Sequence, residues 1–101
     1  MKKRLTLREE NALQFGVDLI TEHGIGYIVR HSCRMLSYLL QSRGTEISWL
    51  TIRNYLEALV SMGYAKKKSR GSHTSGVEYT LNRYKFNKLI NAVNEKQTII
   101  S

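Results

Sequence analysis

Four cationic side chains crowd into the stretch AKKKSRG: Lys66, Lys67, Lys68 and Arg70. Their chemistry is phosphate neutralisation, in which Lys and Arg release counterions from a polyanion and fix its position without reading its sequence. On a strand successive side chains alternate faces, so Lys66 and Lys68 share one side and Lys67 takes the other. Upstream, Arg53 and Asn54 are neighbours in a stretch of helical apolar spacing. Arg presents a planar fork of donors and Asn a paired donor and acceptor, groups suited to two-point recognition of a flat edge.

Other chemistries find little support. His23, His31 and His73 are scattered, without Cys or acidic partners at metal-ligand spacing, and no metal or other cofactor is expected. Glu9 and Glu10 at a helix start supply no nucleophile, base or phosphate-cradling loop, so the sequence predicts no enzyme. The single cysteine, Cys33, excludes an internal disulfide and points to a reducing compartment. After MKKR comes LTLREENALQ rather than an apolar run, and no segment reaches membrane-spanning length, so a soluble, cytoplasmic protein away from membranes is expected. At 101 residues the chain predicts one domain over 1–101, with any larger surface supplied by oligomerisation. The net charge is +8, of which residues 64–101 carry +6, so the cationic excess gathers in the last third and favours polyanionic partners.

The elements that must position these groups follow from caps and periodicity. Thr6 and Glu9 have capping-box spacing and open a helix over 7–23, stopped by Gly24. Leu13, Val17 and Ile20, with Ala12, Phe15 and Leu19 alongside, give it an apolar arc of roughly 200°, wider than one core contact needs. That surplus predicts a second buried contact, taken as another subunit. A second helix is expected over 27–42, with Ile28, Val29, Cys33, Met35, Leu36, Leu39 and Leu40 inward and Tyr27, Arg30, His31, Arg34, Tyr38 and Gln41 outward. Ser48 caps a third over 48–62, ended by Gly63, with Ile52, Leu56, Leu59 and Val60 inward and Leu50, Arg53, Asn54, Glu57 and Ser61 outward. Residues 64–82 read as a hairpin rather than a linker, because Val77, Tyr79 and Leu81 alternate with Glu78 and Thr80. A last helix over 83–97 carries Phe86, Leu89, Ile90 and Val93 on a narrow stripe.

The segment TIRNYLEALVSMGYAKKK resembles the recognition helix and first wing strand of winged helix-turn-helix DNA-binding proteins, of the kind found as small regulators in archaea, their plasmids and their viruses. Thr51, Ile52, Leu56, Leu59, Gly63 and Tyr64 carry the resemblance, which covers roughly residues 25 to 82. It implies an α+β, mostly helical fold: three N-terminal helices, a β-hairpin wing and a C-terminal helix. One departure is that many members place a short strand before the second helix, whereas the helix expected here is long and the link RGTEI short.

An α-helix fits the major groove, where each base pair shows a distinct pattern of donors and acceptors. On helix 48–62 Arg53 suits guanine O6 and N7, Asn54 suits adenine N6 and N7, Thr51 a thymine methyl or a phosphate, and Glu57 either accepts from cytosine N4 or repels phosphate and trims non-specific affinity. Lys66, Lys67, Lys68 and Arg70 are assigned to phosphates, as are Arg30, Arg34 and Ser48; His73 joins Arg70 at the wing tip. The leading expectation is a homodimer on double-stranded DNA, a transcriptional regulator paired through Phe15, Leu19, Phe86, Leu89 and Val93. Alternatives are a plasmid-partition protein that spreads on centromere DNA, or a winged-helix adaptor that meets a protein or RNA through Trp49 or Leu50.

Overall fold

A computed structural model describes residues 5–69 and 77–100, with side chains over 5–68 and 77–92. The chain order is α1 (Leu7–Thr21), β1 (Ile28–Val29), α2 (Cys33–Ser42), α3 (Trp49–Ser61), β2 (Ala65–Ser69), β3 (Val77–Leu81) and α4 (Arg83–Ile100). The three strands form one antiparallel sheet in the order β1-β3-β2, so the fold is α+β.

Local chemistry sets most helix ends. Thr6 Oγ1 accepts the Glu9 N–H at 3.1 Å and Glu9 Oε1 accepts the Thr6 N–H at 2.8 Å, the reciprocal pair expected of a capping box. Ser48 Oγ accepts the Thr51 N–H at 3.2 Å and opens α3. The α3 exit turns at Gly63, whose φ of 82° favours glycine, and Tyr64 N–H closes back on the Leu59 carbonyl at 2.8 Å. Asn82 Oδ1 accepts the Lys85 N–H at 3.0 Å and caps α4, a role the sequence reading did not assign.

The second helix starts six residues later than expected. Residues 27–32 are not helical: Ile28 and Val29 pair with Thr80 and Tyr79 of β3, and the Tyr27 carbonyl accepts the Leu81 N–H at 2.7 Å. Ser32 then captures the Met35 N–H at 3.2 Å and starts α2. Two adjacent β-branched residues fit a pleated surface better than a helix, and a sheet edge was open to receive them. The long second helix is therefore replaced by a short strand and a ten-residue helix.

The surplus apolar arc of α1 is covered from within the same chain. Ala12, Phe15 and Leu19 of α1, Ile52, Leu56 and Leu59 of α3 and Phe86 of α4 belong to one buried cluster. Phe86 is fully buried, and a Cβ built on Gly16 of α1 would lie 2.5 Å from its Cζ, so glycine lets the ring close on the helix backbone. The assignment of Phe15, Leu19 and Phe86 to a dimer interface is thus corrected: α3 and α4 both pack on α1 and use its width. Leu89 is half-buried against the same cluster, and the Val93 side chain lies outside those described.

Candidate nucleic-acid interface

Helix α3 is held by one face and open on the other. Ile52, Leu56 and Leu59 are buried, whereas Leu50, Arg53 and Asn54 are exposed, Leu50 by 51%. Neither Arg53 nor Asn54 has a side-chain hydrogen bond or ion pair with another described residue. The hydroxyl of Thr51 lies 2.8 Å from Ser48 Oγ and belongs to the cap, which leaves its methyl group as the part open to contact. Ser48 has the same capping duty.

Glu57 does not join the outward face. Its carboxylate accepts a hydrogen bond from the Tyr79 hydroxyl of β3, and Lys67 Nζ of β2 lies 3.0 Å from it. The Tyr79 bond and the Lys67 ammonium hold Glu57 below the usual carboxylate range against its partial burial. Burial, and then the hydrogen bond to Glu57 and its charge, push the Tyr79 hydroxyl up. Expected as a base reader, Glu57 instead clamps the hairpin to α3. The contact spans 22 residues, and no local pattern announces it.

The strand alternation expected for the lysines is present. Ala65 is buried and Lys67 shares its face, turned to Glu57; Lys66 and Lys68 take the outer face, opposite Thr80 and Glu78. Tyr79 and Leu81 are buried and Val77 half-buried, which excludes the linker reading for 77–81. Arg70 and His73 lie outside the described residues. Arg30 and Arg34 are not neighbours on one helix. Arg30 Nε lies 3.3 Å from Glu78 Oε1 beside β1, while the Arg34 guanidinium stacks 5.1 Å above the Trp49 ring. With Ser37, Tyr38 and Ser48 these two last side chains line a shallow groove where α2 meets the start of α3, and Tyr38 is 70% exposed.

A second concavity lies between the start of α2, the open face of α3 and the strands β2 and β3. It is a half-open cleft of about 190 Å³ lined by His31, Ser32, Cys33, Arg53, Lys67, Val77 and Tyr79. Neither protein-family models, nor curated proteins, nor solved structures give a match to this chain. Its chemistry must be read from the side chains themselves. Burial raises the Cys33 thiol pKa, with Arg53 pulling the other way. Among the described residues no cluster of His, Cys, Asp and Glu could hold a metal ion, and no helix is long and apolar enough to cross a membrane.

The arrangement offers an exposed helix face with a base-edge-compatible amide and guanidinium, flanked on one side by a cationic hairpin and on the other by a cation-aromatic groove. The sequence located the helix face and the hairpin. It missed that Lys67 and Arg30 are tied to carboxylates, and it did not foresee the cleft.

Proposed function

We propose that this chain is a winged helix-turn-helix protein that binds double-stranded DNA sequence-specifically as a homodimer and acts as a transcriptional regulator. The observation that carries this reading is the clamp: a free, exposed helix face and a cationic hairpin are fastened to each other by Glu57, Lys67 and Tyr79. A helix that reads a groove and a hairpin that follows the backbone must keep a fixed spacing, and the clamp supplies one. The strand before α2 and the sheet order β1-β3-β2 also suit the fold that the sequence resembles.

In this reading α3 leads into the major groove with Leu50, Arg53 and Asn54, and Asn54 pairs with adenine. Lys66 and Lys68, on the outer face of the wing, meet phosphates and supply the salt-dependent part of the affinity. Pairing falls to α4 rather than α1. Among the described side chains its contribution to the core comes from Phe86 and Leu89 in its first two turns, while the helix runs on to Ile100. A selection of bound duplexes from a random pool tests the proposal. Enrichment of an inverted repeat with half-sites about one helical turn apart is expected; a bound pool no different from the input would sink it.

A second reading rests on the groove at Arg34, Tyr38 and Trp49, with Leu50 beside it. Exposed aromatic and aliphatic side chains of this kind suit an adaptor that docks a protein. Substituting Tyr38 by Ser separates the two, because duplex binding through α3 and the wing cations survives that change and docking through the groove does not.

A further inference from the structure

The cleft between α2, α3 and the wing gathers Arg53, Lys67 and His31 from three separate parts of the chain into one concavity. Arg53 has no hydrogen bond or ion pair with another described residue, so its five donors are uncommitted there. Lys67 spends one contact on Glu57 and has three ammonium hydrogens, which leaves donors for a second acceptor. Glu57, the carboxylate bound to the cleft's own Lys67 and Tyr79, has its charge taken up by them and offers a visiting anion reduced opposition. Ser32 caps α2 and takes the Met35 N–H, while the N–H groups of Cys33 and Arg34 have no acceptor within the helix and add to the positive potential at the rim.

We propose that this cleft seats one phosphate group, with Arg53, Lys67 and His31 as its ligands. The proposal rests on the DNA-binding reading for the source of the phosphate: it belongs to the backbone strand that passes between α3 and the wing. Arg53 thereby serves the backbone rather than a base edge, and Asn54 is left as the principal reader on α3. A free phosphorylated molecule presents the same chemistry, and the test separates the two sources.

Cys33 lines the cleft and is the chain's single cysteine, so carbamidomethylation by iodoacetamide gives one mass-resolved adduct whose rate reports on occupancy. Rates are compared in inorganic phosphate, in sodium chloride of matched ionic strength, and with a short random duplex at concentrations that saturate each protein by fluorescence anisotropy. Slowing of several-fold by the duplex in the wild type, absent in Arg53→Gln, supports a seat for backbone phosphate. Slowing by inorganic phosphate above chloride, again lost in Arg53→Gln, supports a seat that a free phosphate fills. If phosphate protects and no duplex binds, the seat stands while the DNA-binding reading falls. Equal rates in phosphate, duplex and chloride, or protection unchanged in Arg53→Gln, overturn the proposal. Arg53 is exposed, so the variant is expected to fold, and an unchanged far-UV spectrum checks this.

Discussion

Tyr79→Phe removes one oxygen from the centre of the sheet and tests the clamp that joins the β2–β3 pair to α3. Tyr79 is 5% exposed and pairs with both Val29 and Lys67 across the strands, so Phe keeps its packing and deletes only the bond to Glu57. A hydrogen bond to a charged acceptor contributes about 1.5–3 kcal/mol. The Glu57 side chain is 41% exposed and is partly compensated by water, so the expected loss is nearer 1 kcal/mol. For a domain of this size that corresponds to a fall of about 4–8 °C in Tm. The pH dependence gives a second signature. Glu57 is held below its ordinary value of 4.5 in the folded chain, so its contribution is present above that pH and fades as pH falls through the lowered value. Tyr79 is shifted the opposite way, above its ordinary 10, so its contribution is complete below pH 10 and is lost on the alkaline side. Urea unfolding of both proteins across pH should therefore show the variant less stable at neutrality, with a smaller acid loss and a smaller alkaline loss. Superimposable midpoints and pH profiles would refute the argument.

Four further substitutions probe other parts of the account. Gly16→Ala gains about 1 kcal/mol of helix propensity but forces the buried Phe86 ring from a 2.5 Å approach, at a cost of about 1–3 kcal/mol for overpacking; net destabilisation on thermal unfolding is expected, and a stabilised variant would show that the ring gives way freely. Ser48→Ala removes the α3 cap and should cost about 1 kcal/mol, measured as a lower urea midpoint with unchanged slope. Asn54→Ala should relax preference at one base pair of each half-site by about 1–3 kcal/mol, whereas Lys66→Ala should weaken all duplexes alike and reduce the salt slope by about 1.8, about 0.9 for each copy. A panel of single-base operator variants distinguishes those two outcomes.

Where a side chain acts on its own backbone neighbourhood, the sequence was a sufficient guide. The capping box at Thr6 and Glu9, the Ser48 cap and the Gly63 stop each lie within a few residues of what they bind, and α1 and α3 follow from them. The alternation of Val77, Tyr79 and Leu81 likewise reported a half-buried strand. Ile28 and Val29 were misplaced because β1 has two residues, too few to show a period, and its partner Thr80 stands 52 positions away. The width of the α1 arc was legible, but its cover was not: periodicity says how much surface must be buried and leaves open whether α4 or another molecule buries it. The same holds for the candidate site. Lys67 and Glu57 were singled out separately for DNA, and only the fold brings them to 3.0 Å and turns them toward each other.

The central claim is that this surface engages the DNA backbone, and the salt dependence of duplex affinity tests it most directly. For a pair of copies that together contact six to ten phosphates, log K should fall linearly with log salt and lose about 10³–10⁵ in affinity between roughly 50 and 200 mM. The Lys66 and Lys68 alanine variants should each flatten that line. An affinity that stays constant over the same range, or a slope indifferent to both lysines, would contradict the account.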